Sequence, residues 1–228
     1  MPSAFRRLEV VSLKDQVLNA MKDAFFEGQL KPGSPIVERS VAEQMNVGTP
    51  VVREALIALE GQGLVRRVKN TGTYVTEFTP DEIRQLYALR VELEGLALQW
   101  ARPRVTEADL KELEKMVDEI VEAGEAGRRR EFLERDYEFH RQTWRLSGNA
   151  FLAETIDRLM APLFAFVVVA SGAPLTGSMG REHYDLVKAL RSLQEPEFST
   201  VVRKTLNGFA NRWLTTMGKI EAEKGGDS

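Results

Sequence analysis

The chain of 228 residues is 43% hydrophobic, so it is long enough for one large domain or two modest domains with apolar cores. Its net charge of −3 argues against a nonspecific nucleic-acid coat, and zero cysteines exclude a disulfide framework and thiolate chemistry and suit a reducing cytoplasm. The longest apolar run, Met160–Ala170, contains Pro162 and is far shorter than the roughly 20 residues of a membrane span, so we expect neither a span nor a signal peptide.

An apolar stripe predicts a first helix over Ser12–Glu27, which Gly28 ends. Two shorter amphipathic patterns follow on either side of the break Asn46–Pro50. Their apolar positions keep helical spacing and are Val41, Ala42 and Met45 in the first pattern and Val52, Ala55, Leu56 and Leu59 in the second. Thr49 is predicted to cap the second helix, with Pro50 at its first position, where proline loses no hydrogen bond.

A hairpin is predicted directly after these helices. Its strands are Leu64–Lys69 and Thr73–Thr76, joined across Asn70–Gly72, whose residues tolerate the positive φ of hairpin turns. The residues predicted to face DNA are Thr49, Pro50 and Arg53 on the outward face of the second helix, and the cations Arg66, Arg67 and Lys69 near the hairpin tip. Each piece alone is also compatible with plain packing or a solvated edge. The order helix, turn, helix, hairpin favours a winged helix-turn-helix, which lays one helix into a DNA groove.

Six strings of residues occur in a fixed order over about Ser12–Thr76. They are Phe26–Gly33, Glu38-Arg39, Val52–Leu56, Leu59-Glu60, Gly63–Val65 and Gly72–Val75. Together they resemble the DNA-binding domain of the GntR family of bacterial transcription regulators. The resemblance implies DNA contacts from Arg39, Thr49, Arg53 and the wing glycine Gly72. Thr49 stands where the family commonly has a base-reading arginine, and Val37 replaces a usual Ser N-cap, which should weaken the first short helix by about 1 kcal/mol.

The rest of the chain shows helical patterns only. We predict a linker at Phe78–Asp81 and then about six helices separated by breaks, which form an antiparallel bundle because the connections are short. The breaks are Arg102-Pro103, Gly124–Gly127, Ser147–Asn149, Ser171–Gly180 and Glu195-Pro196. The fold is therefore predicted to be mainly α, with a winged helix-turn-helix domain at residues 1–78 and an all-α effector-binding and dimerisation domain at residues 79–228.

Polar residues interrupt the apolar stripes of the predicted bundle. Arg90 takes an inward position, where an internal ion pair with Glu94, one turn away, and an anionic ligand are equally good explanations. Asp136 and His140 are four residues apart and share an inward face, and His183 also points inward. A single buried histidine is more often a core residue, but two histidines and an aspartate are typical ligands of zinc, nickel or manganese in a bundle core.

Arg90 in Leu89–Glu94, Asp136–His140 followed by Ser147–Asn149, and Glu182-His183 resemble the helical effector domain, called FCD, of the FadR branch of GntR regulators. The resemblance implies a divalent metal held by an aspartate and three histidines, with a small carboxylate effector completing the coordination. The third histidine is missing, and its place falls at Thr205. We therefore expect a weakened metal site or none, with Arg90, Asn149 and Thr205 as effector-binding residues.

These features predict a cytoplasmic, homodimeric transcriptional regulator that binds a palindromic operator in double-stranded DNA and responds to a small carboxylate. Two alternatives stay open. The helical domain could dimerise without sensing a ligand, or Asp136, His140 and His183 could form the metal centre of a hydrolase or lyase.

Overall fold

The apolar side chains gather into two separate cores, one between residues 17 and 75 and the other between residues 83 and 206. The computed structural model of the protein describes residues 12–170, 175–192, 194–208 and Asn211. Three helices and a small sheet enclose the smaller core, and we call this part, residues 12–76, the head. Helices alone enclose the larger core, and we call the described part that begins at Pro80 the bundle.

Three helices build the core of the head. They are α1 (Leu13–Phe26), α2 (Glu38–Met45) and α3 (Thr49–Gly61). Helix α1 begins where the Ser12 hydroxyl accepts the N–H of Asp15 at 3.1 Å. The four apolar positions predicted for α3 are its buried residues, Val52, Ala55, Leu56 and Leu59. Because these residues pack against α1 and α2, the opposite face of α3 is left facing outward.

The start of α3 differs from the predicted one. Gly48 is the N-cap residue, in extended conformation, and Thr49 and Pro50 are the first two helical residues. The predicted capping by Thr49 is therefore wrong, because Gly48 takes the extended backbone of the boundary and supplies no side chain to cap the helix. Val37 likewise precedes α2 without a side-chain hydrogen bond, in agreement with the sequence.

A small antiparallel sheet completes the head. Its strands, in the spatial order β1-β3-β2, are β1 (Pro35–Ile36), β2 (Val65–Val68) and β3 (Gly72–Val75). The sequence pattern does not predict β1, because two residues are too few to show alternation. Strands β2 and β3 pair from Val65 opposite Val75 to Val68 opposite Gly72. Asn70 has a left-handed φ of 61° in the turn, as predicted for this hairpin. We call the hairpin of β2 and β3 the wing.

The connection between head and bundle is shorter than the predicted linker. The Thr79 hydroxyl and the Glu82 side chain form a reciprocal capping box, and helix α4 (Pro80–Ala101) already begins at Pro80. The Phe78 ring meets the Phe166 ring edge to face, with 5.3 Å between ring centroids. The connection is thus anchored to the bundle.

Helices pack around the larger core in several pairs. After α4 they are α5 (Glu107–Glu125), α6 (Arg129–Leu146), α7 (Ala150–Ala170), α8 (Gly177–Arg181), α9 (His183–Ser192) and α10 (residues 197–208). Helix α5 packs against α6, α8 and α9, while α4 packs against α6 and α7. Among the described helices, none is long and apolar enough to cross a membrane.

Helix α8 lies where the sequence predicts part of a break. Residues 171–174 of that break fall outside the described residues, but residues from Gly177 onward are helical. A Cβ atom at Gly177 would lie 2.6 Å from Cγ of Glu125, and one at Gly180 would lie 3.0 Å from Cγ2 of Ile120. The glycines that suggest a break therefore permit the close approach of α8 to α5, so the bundle has one more helix than predicted.

Candidate DNA-binding surface and buried polar cluster

The outward face of α3 presents the side chains predicted to meet DNA. Pro50 is exposed, Thr49 is half-buried, and the Arg53 side chain is 59% exposed. The Arg53 guanidinium is held by Glu38 of α2, because its Nε and Nη2 donate to Oε2 of Glu38 at 3.0 and 2.9 Å. This hydrogen bond raises the pKa of Arg53. Glu38 thus fixes the position of the main cation on α3.

Sequence reasoning does not assign a role to Glu38. The residue lies 15 positions from Arg53, so no helical or strand spacing connects the two. A shallow pocket between α2 and the wing is also lined by Glu38, together with Arg67, Lys69 and Gly72. Glu38 therefore lies between the recognition helix and the wing, where it contacts the first and faces the second.

The wing and α2 add further cations to this surface. Arg66 and Lys69 are exposed and form no ion pair with any described residue, whereas Arg67 lies 3.4 Å from Glu60. Arg39 is 86% exposed, and its Nε donates to Glu43 at 2.9 Å. Gly72 has a φ of 145°, a conformation that a side chain rarely adopts. The predicted DNA-facing residues therefore lie on α2, α3 and the wing, and all but Thr49 are exposed.

A second group of polar side chains is buried in the bundle. Arg90 and Glu94 of α4 form an ion pair with 2.8 Å between Nε and Oε1, and their side chains are only 4% and 1% exposed. Oε2 of Glu94 lies 3.1 Å from Nδ1 of His140, while Nη2 of Arg90 lies 2.9 Å from Nε2 of the same ring. The internal ion pair that the sequence allowed is therefore present. Glu94 and Arg90 contact both sides of His140.

These contacts determine which His140 nitrogen carries a proton. Burial would raise the pKa of Glu94, but Arg90 and His140 together hold that pKa below its usual value. Burial lowers the pKa of His140, so the ring is neutral at pH 7. An ionised Glu94 only accepts, and Arg90 only donates. Nδ1 of His140 therefore carries the hydrogen, and Nε2 keeps its lone pair.

His183 and Asp136 meet this lone pair. Nδ1 of His183 donates to the Gly180 carbonyl at 2.9 Å, so its Nε2 faces Oδ1 of Asp136 at 3.0 Å and Nε2 of His140 at 3.3 Å. Burial opposes ionisation of Asp136, but the adjacent His183 holds its pKa below the usual value. Three atoms with lone pairs thus converge. A shared cation would be a common partner for all three.

The separations suit a divalent metal. The ligand atoms of Asp136, His140 and His183 all lie within 4.8 Å of one another. Bonds of about 2.1 Å to zinc place neighbouring ligand atoms about 3.0 to 3.4 Å apart, which is close to the two separations measured here. Glu94 and the Gly180 carbonyl would serve as the outer hydrogen-bond acceptors that orient metal-bound histidines. Arg90, however, already occupies the His140 lone pair that a metal would need.

Three further residues bear on a ligand in the bundle. Trp144 is buried, its ring lies 6.5 Å from the His140 ring between centroids, and its Nε1 is the one buried side-chain polar atom among the described residues without a hydrogen-bond partner. Thr205 is buried on α10, with 7% of its surface exposed. Asn149 caps α7, because its Oδ1 accepts the N–H of Leu152 at 3.0 Å. Asn149 therefore has a structural role that the sequence did not indicate.

Two family models match the chain. Residues 13–75 match the bacterial regulatory proteins of the gntR family, and residues 85–208 match the FCD domain. Head and bundle thus define a DNA-binding transcription regulator with a helical second domain. The chain belongs to the GntR family of bacterial transcriptional regulators and carries an FCD domain. The alternative of a metal-dependent hydrolase or lyase is wrong, because this family and the similar proteins are regulators and not enzymes.

Known proteins show the same likeness. The chain is 29% identical over 145 residues to the uncharacterized HTH-type transcriptional regulator YdhC of Bacillus subtilis. That alignment covers 63% of this chain and 65% of YdhC, so the chain spans just under two thirds of that relative's length. It is 26% identical over 199 residues, 87% of each protein, to the probable D-xylose utilization operon transcriptional repressor of Paenarthrobacter nicotinovorans. The solved structure of E. coli McbR/YncC has the same fold, with a TM-score of 0.69, 22% identity, and coverage of 93% of this chain and 100% of that chain.

Proposed function

We propose that this regulator acts as a homodimer, binds a palindromic operator and responds to a small carboxylate in the bundle. The observation that carries the proposal is the arrangement of Arg53 on the outward face of α3 beside a wing with exposed cations. Two such heads related by a twofold axis suit a palindrome, since each α3 enters one half-site. The separate apolar cores support two domains, residues 1–78 and residues 79–228.

The DNA contacts fall into two groups. Arg53 and Thr49 are placed for base edges in the groove, with Pro50 beside them at the start of α3. The cations proposed to contact phosphates are Arg39, Arg66, Arg67 and Lys69, and Gly72 lets the wing backbone approach the DNA closely. Thr49 stands where GntR regulators commonly have a base-reading arginine. The operator sequence of this protein should therefore differ from the operators of relatives that keep the arginine.

A variant at Arg53 tests the surface directly. Arg53→Ala should weaken binding to an operator selected from random DNA by roughly 10- to 100-fold, since a good base contact is worth about 1–3 kcal/mol. Arg84→Ala is the matched control, because Arg84 is 58% exposed and pairs with an acid but lies on α4. Fluorescence anisotropy measures both affinities. Unchanged operator affinity in Arg53→Ala would show that α3 is not the recognition helix.

The effector site is proposed around the buried polar cluster. The unpartnered Trp144 N–H costs about 1–3 kcal/mol if it stays unsatisfied, and a carboxylate oxygen would relieve that cost. Arg90 supplies a cation to the same effector, and Thr205 and Asn149 are proposed to complete the site. A change of head spacing on binding would then alter operator affinity.

One divalent metal, zinc, nickel or manganese, is proposed as a cofactor of this site. Asp136, His140 and His183 would hold it, and the metal would supply a coordination position for the effector carboxylate. Elemental analysis of the purified protein should find about one metal per chain, which Asp136→Asn removes and Asp185→Asn, an exposed residue of α9, retains. Equal metal content in the wild type and Asp136→Asn would contradict this site.

A second candidate function is a bundle that dimerises and senses nothing. The buried cluster supports it, because Arg90, Glu94 and His140 form hydrogen bonds and ion pairs with one another without a ligand. Native mass spectrometry decides between the two candidates. A metal-free, ligand-free dimer whose thermal stability ignores added metals and carboxylates would support the second. We further propose that the regulator is a repressor in the cytoplasm, since the Paenarthrobacter relative is described as a repressor and DNA-binding regulators act on the chromosome.

A further inference from the structure

A cavity of about 430 Å³ lies between the head and the bundle. Lys22 of α1 lines it from the head together with Gly61, Gln62 and Leu64, and α6 and α7 line it from the bundle. We call it the junction cavity. It is larger than the roughly 300 Å³ at which ligand pockets commonly begin. It is also distinct from the buried polar cluster, since none of Arg90, Glu94, Asp136, His140 and His183 lines it.

The charged groups of the junction cavity are paired, with one exception. Glu134 accepts from Arg130 at 3.0 Å, and Asp157 accepts from Arg141 at 2.9 Å. Lys22 is half-buried, and its ammonium group makes no hydrogen bond or ion pair with any described residue. Glu134 acts on it only at longer range, and burial lowers the pKa of Lys22. The cavity thus offers one cation that lacks a bonded anion.

Apolar side chains lie on both sides of the junction cavity. Leu64 of the head faces it from one side, and Leu133 and Phe164 of the bundle face it from the other. The rest of the lining is polar and includes Gln62, Tyr137 and the paired groups Glu134, Arg141 and Asp157. Apolar walls with a few placed polar groups are the common form of a small-molecule site, because the walls bind the ligand and the polar groups orient it. A carboxylate is the complementary partner of a lysine ammonium.

We propose that the junction cavity is a second ligand site, which binds a small organic monocarboxylate with an apolar body. The carboxylate pairs with Lys22, and the body lies between Leu64 and the Phe164 ring. Such a ligand touches both head and bundle, so its binding holds them in the arrangement seen here. A change of operator affinity caused by this ligand would rest on the proposed function, whereas binding of the ligand to the junction cavity does not.

Phe164 connects this site to the buried polar cluster. Its ring centroid lies 5.5 Å from that of His140, and Cζ of Arg90 stands 4.6 Å from it. The same ring therefore forms a wall of the junction cavity and a contact of the cluster. A ligand that fixes Phe164 restricts His140 and Arg90 as well, which provides a physical route between the two sites.

Calorimetric titration of the full chain with benzoate tests the proposal, with benzyl alcohol as the neutral probe of the same shape. Benzoate should bind the wild type at one site per chain and benzyl alcohol at least about tenfold more weakly. Lys22→Met should weaken benzoate binding roughly 10- to 100-fold, and Lys22→Arg should restore most of it. Lys115→Met, at a lysine 66% exposed on α5, is the matched control and should bind as the wild type does.

Three results would overturn the second site. They are no benzoate binding by the wild type, equal binding by Lys22→Met, and binding that Asp136→Asn abolishes but Lys22→Met retains, which would place the carboxylate in the buried cluster. Operator affinity without benzoate is measured alongside for the wild type and Lys22→Met. Equal operator affinity with lost benzoate binding supports the junction site by itself. A wild type that does not bind the operator would refute the proposed function. The benzoate titrations would still decide the junction site by themselves.

Discussion

Glu94→Gln removes one negative charge from the centre of the bundle and should destabilise it by about 3 kcal/mol. The Glu94 side chain is 1% exposed, and it bonds Arg90 at 2.8 Å and His140 at 3.1 Å. Breaking one partner of a buried ion pair costs about 3–5 kcal/mol, because the other charge is left without compensation. Glutamine keeps one carbonyl oxygen that still accepts a hydrogen bond, so the lower end of this range applies. At about 2–4 °C per kcal/mol for a chain of this size, Tm should fall by roughly 6–12 °C.

Differential scanning calorimetry measures this loss, and Glu92→Gln on the same helix is its control. Glu92 pairs with Arg203, but the two side chains are 60% and 54% exposed, so no resolvable change of Tm is expected. The double variant Arg90→Met with Glu94→Gln should recover about half of the loss, because no buried charge remains unpaired. A Tm for Glu94→Gln within about 1 °C of the wild type would refute the conclusion that Glu94 compensates Arg90.

Three further predictions follow from single positions. Gly63→Ala should destabilise the junction of head and bundle by more than 1 kcal/mol in a urea titration, because φ is 72° there and a Cβ atom would collide with Pro162. Gly61→Ala is the control and should be neutral or stabilising, because the space around Gly61 is open. Val37→Ser should stabilise the head by about 1 kcal/mol, since Val37 is 59% exposed and leaves α2 uncapped; an unchanged urea midpoint would contradict this. Thr205→His should tighten zinc binding at least about tenfold in competition titrations if Thr205 holds the place of the missing histidine, and equal affinity would remove it from the site.

Much of the head was predictable because its signals are local. Helical spacing identified the buried residues of α3, and the turn residue Asn70 identified the wing. The contact between Glu38 and Arg53 was not predictable, because it joins two helices whose relative angle depends on the packing of the head. The capping of α3 by Gly48 was also missed, since a threonine and a glycine side by side are both acceptable caps and only the backbone decides between them.

The bundle shows the same division. Periodicity correctly placed Arg90, His140 and His183 on inward faces and suggested Glu94 as a partner. It did not predict α8, because Gly177 and Gly180 are typical of a break. The structure shows that they permit close packing of α8 on α5. Nor did it reveal the unpartnered Trp144 N–H, because whether a buried donor finds an acceptor depends on three-dimensional surroundings.

The sequence by itself indicated a winged helix-turn-helix followed by a helical bundle, because spacing along helices and turn chemistry are local properties, and its resemblance to GntR regulators indicated the class of protein. Only the tertiary structure showed which nitrogen of His140 faces Glu94, the contact of Arg90 with Nε2 of the same ring, and the junction cavity around Lys22. Each of these depends on distances between residues far apart in the chain. Electrostatic interaction and desolvation change steeply with such distances, so no pattern in the sequence contains them.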